Sequence, residues 1–226
     1  MIDMPTSQEV LVPLFLTLKV AGWATLLATI FGIAIAFAVA RLRFPGREMV
    51  DAMMTLPMVM PPTVLGYYLL VLVGRRGVIG EWLYDKLGIS LIFTWQGAVI
   101  AAAVVAFPLV YKAARAAFEG VEHQYEQAAR VLGQSEFEVF LRVTLPLAWR
   151  GILAGAMLAF ARAMGEFGAT LMVAGSLPGR TQTLPLAIYE AAMTGENTAA
   201  LALSVALTIV SVIVLLIVGR LGRGRA

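Results

Sequence analysis

The chain contains no cysteine and a single histidine, His123. Disulfides and thiolate metal sites are therefore excluded, and neither a histidine pair nor an HExxH stretch is available to hold a metal. No Gly-Lys pair occurs anywhere, so the GxxxxGK[ST] loop that cradles nucleotide phosphates is missing as well. Charge is scarce: 14% of the 226 residues are charged against 60% hydrophobic, with a mean hydropathy of +0.86. A soluble domain of this length needs more polar surface than that. The first residues carry only Asp3 and Glu9 and no basic stretch, so a cleaved secretory leader is not expected. Without a cofactor, metal or catalytic constellation in view, neither an enzyme nor a nucleic-acid partner is expected.

What the chain has instead is hydrocarbon. Apolar runs long enough to cross a bilayer, about 20 residues each, give five expected spans at about 12–40, 50–73, 91–118, 147–175 and 199–219. The expected fold is all-α, a single polytopic bundle over residues 1–226. Two spans are unusual. The second contains Pro57, Pro61 and Pro62, which remove backbone donors and should kink or break it. The fourth contains Arg162 and Glu166, four apart and so on one helix face. Each unpaired charge at mid-membrane costs roughly 2.5–3.5 kcal/mol, so these two should face each other, another helix or water. Either a structural ion pair or a site on a translocation pathway fits, with Gly165, Phe167, Gly168 and Thr170 beside them as further pathway candidates. Between the second and third spans, Trp82, Tyr84 and Trp95 suggest a short external helix on the membrane surface.

Basic residues set the orientation. Arg41, Arg43 and Arg47 lie after the first span. Lys112, Arg115, Arg130, Arg142 and Arg150 follow the third, and Arg220, Arg223 and Arg225 the last. The opposite connections hold only Arg75, Arg76, Lys86 and Arg180. The richer side should be cytoplasmic, which puts the N-terminus outside and the C-terminus inside.

The polar segment at about 120–146 is the most patterned part of the chain. His123–Leu132 should form a helix terminated by Gly133, and Ser135 with Glu138 makes a capping box for another. On that second helix Phe137, Phe140, Leu141 and Thr144 recur at helical spacing and should form one apolar face, with Pro146 in the first turn of the next span. A protruding elbow with an apolar knob at Phe137 and Phe140 fits this pattern, and so does an amphipathic loop lying on the membrane.

This segment resembles the cytoplasmic motif of ABC importer permeases, EAA-x3-G-x9-I-x-L-P. Gln127, Ala128 and Ala129 stand three residues before Gly133, and nine residues later come Val143, Thr144, Leu145 and Pro146. Gln127 replaces the motif glutamate, with Glu126 just before it, and Val143 replaces isoleucine. FPGR at Phe44–Arg47, LPMVMPPTVLGYYLL at Leu56–Leu70, GRRGVIGEWLYD at Gly74–Asp85 and FARAMGEFGATL at Phe160–Leu171 are similar to molybdate permeases. Sulfate permeases are similar in the last of these.

The resemblance implies a multi-pass inner-membrane permease that forms the translocation pathway of an ATP-driven oxyanion importer. Molybdate is the expected substrate, with tungstate or sulfate and thiosulfate as alternatives. The implied partners are two cytoplasmic ABC ATPase subunits, a second copy of the chain, an external oxyanion-binding protein and the lipid membrane. It also implies that Gln127, Ala128, Ala129, Gly133, Ser135, Phe137, Phe140, Leu145 and Pro146 couple the spans to the ATPase. An ion-gradient carrier would need no such elbow. An intramembrane enzyme would have only Arg162 and Glu166 to work with.

Overall fold

The computed structural model describes residues 6–42 and 44–222, so Arg43, Arg223 and Arg225 of the charge pattern lie outside the described residues. The described residues form eleven α-helices and one π-helical turn. Helix α1 (Ser7–Arg41) opens on a capping box. The Thr6 hydroxyl accepts the Glu9 N–H, and the Glu9 carboxylate accepts the Thr6 N–H at 2.7 Å. At 35 residues it is about 52 Å long, well beyond the ~30 Å hydrocarbon layer, so it must project past the membrane.

Helices α2 (Arg47–Val59) and α3 (Pro62–Val73) meet at a bend of 112°. Tandem Pro61 and Pro62 explain it: each pushes the residue before it out of the helical region, and Met60 and Pro61 take ψ of 141° and 134°. Pro57, inside α2, is accommodated without a break. The expected second span is therefore two short helices at a steep angle. Helix α4 (Val78–Leu87) forms where a short helix was expected and is closed by Gly88 in the left-handed region at φ +66°.

Helix α5 (Trp95–Glu119) is the central staff, buried along most of its length between α1, α8 (Leu145–Met164) and α9 (Gly168–Ala174). Its packing relies on small residues. A Cβ on Gly155 would lie 2.5 Å from the Ala113 Cβ, and one on Gly151 would lie 2.6 Å from the Ala117 Cβ. Without a hydrophobic drive between helices in lipid, such close approach supplies the van der Waals contact that holds a bundle together. At one end Asp51 ties α2 to α5: it accepts the Tyr111 hydroxyl at 2.8 Å and pairs with Lys112 at 3.0 Å and with Arg115. At the other, the Lys19 ammonium sits 3.7 Å over the Trp95 ring, a cation–π contact between α1 and α5.

Four described helices are long and apolar enough to cross a membrane, and the bent α2–α3 pair makes five if taken as one span. The last is α11 (Asn197–Gly222). Before it comes α10 (Leu184–Met193), a short apolar helix in a stretch that sequence reasoning left as a connection. The Leu184 N–H donates to the buried Thr17 hydroxyl at 2.8 Å, and Thr17 donates to the Pro13 carbonyl at 2.7 Å, which fastens α10 to α1.

Candidate functional site

Between α5 and α8 the chain builds an elbow. Helix α6 (His123–Val131) stops because Gly133 adopts φ +82°, and the Gln134 N–H closes back onto the Ala129 carbonyl at 3.2 Å. Arg130 then grips Glu136 across the turn with two parallel hydrogen bonds, 2.6 and 3.0 Å. The Glu136 carboxylate pushes the Arg130 guanidinium further above its ordinary range. Helix α7 (Glu136–Val139) starts on the expected capping box: Ser135 Oγ accepts the Glu138 N–H at 3.3 Å, and the Ser135 N–H donates to the Glu138 carboxylate at 3.0 Å.

The chain then changes pitch. Phe140–Thr144 forms a π-helical turn, closed by the Leu145 N–H on the Phe140 carbonyl. A π turn adds a residue to the loop between bonded groups and rotates everything beyond it. Phe140, which opens this turn, and Thr144, which ends it, were expected on an exposed face but point inward. The Phe140 ring lies 4.6 Å from that of Phe37 and 6.2 Å from that of Phe118, and Thr144 is buried. The most exposed apolar side chains of the elbow are Val131 at 87%, Leu132 at 81% and Phe137, as expected, at 69%. Gln127, Ala128, Gly133, Ser135 and Pro146 share this exposure, whereas Ala129 is buried and Leu145 half-buried. Val131 and Leu132 escaped sequence reasoning, although two apolar residues just before a terminating glycine in a polar segment were the available signal.

The second candidate region is the fourth span, which does not run straight through. Helix α8 ends at Met164, residues 165–167 are non-helical, and α9 resumes at Gly168. Buried Glu166 organises the gap. Its Oε1 accepts the Ala169 N–H at 2.8 Å, capping α9, and Arg162 Nη1 lies 2.9 Å from Oε2 without hydrogen-bond alignment. The charges thus neutralise each other. Gly165 and Phe167 line a cavity of about 360 Å³ with Pro185, Ile188, Tyr189 and Leu207. Phe167 packs its ring 4.9 Å from that of Tyr189. Gly168 and Thr170 are buried. A Cβ on Gly168 would lie 3.2 Å from the Pro62 side chain, and one on Gly66 would lie 2.8 Å from the Ala169 Cα. The break at tandem prolines and the break beside Gly165 and Gly168 are therefore packed side by side.

No group of three or more metal-ligating side chains occurs among the described residues. A bundle with broken inner helices and a polar elbow outside the apolar layer has the parts of a transport subunit driven from elsewhere. Over residues 12–226 the chain matches the model of the binding-protein-dependent transport system inner membrane component, and it belongs to that family. It is thus an inner-membrane permease subunit of the ABC type and not itself an enzyme.

The chain is 48% identical over 215 residues to the molybdenum transport system permease protein ModB of Escherichia coli (strain K12), covering 93% of this chain and 94% of that protein. It is 37% identical over 202 residues to the sulfate transport system permease protein CysW of Synechocystis sp., covering 89% and 73%. Its fold matches a crystal structure of a bacterial ABC transporter involved in import of the acidic polysaccharide alginate. The TM-score is 0.75 at 16% identity, over 96% of this chain and 80% of that one.

Proposed function

We propose that this chain is the membrane subunit of an ATP-driven molybdate importer. The observation that carries this is near-full-length identity of 48% to a molybdenum permease, against 37% to the sulfate permease. In this reading two copies of the chain enclose the pathway, two cytoplasmic ATPase subunits bind below, and an external binding protein delivers the oxyanion. The N-terminus lies outside.

The elbow is the ATPase handle. Its exposed Val131, Leu132 and Phe137 fill a cleft on the ATPase, and the clasped turn at Gly133 and Ser135 presents them rigidly. Gln127 and Ala128 lie on the same exposed surface. Ala129, Phe140, Leu145 and Pro146 fix the elbow to the spans. Around the broken fourth span, Gly165 and Phe167 line the pathway, and the neutral Arg162–Glu166 pair shapes it without binding the anion tightly. A negative Glu166 left unmasked would repel a divalent oxyanion, and Arg162 cancels that charge.

Uptake competition separates the two anions. In vesicles holding the complete transporter, ATP-dependent molybdate uptake should be blocked by excess unlabelled molybdate or tungstate and left largely intact by sulfate. Strong inhibition by sulfate would favour the sulfate reading, for which the 37% identical relative is the motive. Uptake that runs on an ion gradient without ATP would remove the importer reading altogether.

A further inference from the structure

A buried carboxylate that the coupling motif leaves out sits at the root of the elbow. Glu126 precedes the motif position held by Gln127, and its side chain is 3% exposed. Isolated, such a charge costs several kcal/mol, so its partners identify what it holds together. Oε1 pairs with Arg41 Nη2 at 2.7 Å and accepts the Thr144 hydroxyl at 2.7 Å. Oε2 faces His123 Nδ1 at 3.6 Å and Arg130 Nη2 at 3.9 Å. Arg41 is the last residue of α1, 12% exposed, and also reaches the Val121 carbonyl at 3.5 Å. Thr144 closes the π turn at the base of α8. One carboxylate therefore joins three segments far apart in the chain: the end of the first span, the start of the elbow and the start of the fourth span. The Phe37–Phe140 contact lies beside it and supplies the apolar half of the same joint.

We infer that Glu126 is a positioning residue that locks the elbow to the end of α1, so that movement of the elbow is delivered to the first span directly. Covalent connection alone would deliver it only to α5 and α8. The inference rests on the reading that the elbow docks on the ATPase. π turns recur where a helix carries a functional irregularity, and this one places Thr144 in hydrogen-bond reach of the joint.

The test uses the complete transporter in proteoliposomes, with molybdate taken up per ATP hydrolysed as the readout. Glu126→Gln should keep the ATPase bound, because Val131, Leu132 and Phe137 are untouched. Molybdate moved per ATP should fall by roughly tenfold, within the ordinary range of coupling between sites. The chain has no cysteine, so Arg41→Cys with Glu126→Cys can be bridged by a short bismaleimide. The unbridged pair should be uncoupled and the bridged one should recover. Wild-type uptake per ATP in Glu126→Gln, or no recovery on bridging, overturns the inference. Thr144→Val keeps the volume and removes only the hydrogen bond, so it decides the matter if Glu126→Gln does not assemble. A lowered ratio supports the joint, and a wild-type ratio overturns it. Gly133→Asp tests the docking reading separately: an ATPase that still co-purifies undiminished sinks that reading, whatever Glu126 does.

Discussion

Glu166 shows how one side chain can serve two needs at membrane depth. One oxygen caps α9 through the Ala169 N–H, and the other lies against Arg162. Glu166→Gln preserves an acceptor for the cap but strands the Arg162 charge, at roughly 2.5–3.5 kcal/mol for an uncompensated arginine in a span. Transport, or its coupling to ATP hydrolysis, should fall accordingly. Removing both charges in Arg162→Met with Glu166→Gln should be milder than the single change, since deleting a buried pair costs less than breaking it. Proteoliposome uptake of the three proteins measures this, and wild-type behaviour of Glu166→Gln would refute a role for the pair. That Arg162 and Glu166 meet was legible from their spacing, although α8 ends at Met164 and Glu166 reaches Arg162 from the break and not from the same helix face. That the glutamate caps a helix was not, because the break at 165–167 that leaves the Ala169 N–H to be capped carries no proline to announce it.

At the scale of elements, the contact between α3 and α9 is the most demanding. Gly66 sits where a Cβ would be 2.8 Å from the Ala169 Cα and 2.8 Å from the Met172 Cβ. Neither backbone nor a buried Cβ moves aside cheaply, so Gly66→Ala should force the two half-helices apart. The expected loss is about 1–3 kcal/mol, the usual range for overpacking. A lowered melting temperature in detergent should report it, and an unchanged one would show that the contact is slack. Apolar run length located α1, α5, α8 and α11, each of which carries a stretch long and apolar enough for a span. It did not reveal α10, whose ten residues are too few for a span. Helical spacing put Phe140 on the outer face of the elbow, because the partners that bury its ring, Phe37 and Phe118, come from other helices.

For the whole molecule, direction in the membrane follows from which ends react with an impermeant reagent. The cysteine-free background permits single reporters at exposed helix and turn positions. Gln8→Cys, in the first turn of α1, should react with a membrane-impermeant maleimide in intact cells. Glu122→Cys, just before α6, should react only after permeabilisation. The reverse pattern would invert the orientation and move the elbow to the wrong side for an ATPase. The outward apolar flank of α11, with Leu201, Val205, Ile209 and Leu216 exposed, is stable only where lipid or another copy of the chain covers it.

The amino-acid order by itself determined the elements whose cause is local. Apolar length made the spans, tandem prolines turned the second, Gly133 ended α6, and Ser135 with Glu138 began α7. The spacing around these turn residues fitted an elbow or a surface loop alike, and the likeness to the importer-permease motif favoured the elbow. Only the tertiary structure decided which side chains those elements present and to whom: Val131 and Leu132 outward, Phe140 inward onto Phe37, Glu126 onto Arg41 and Thr144, and one helix break against another. Burial and partner choice depend on groups brought together from distant parts of the chain, and no local pattern encodes a neighbour it does not contain.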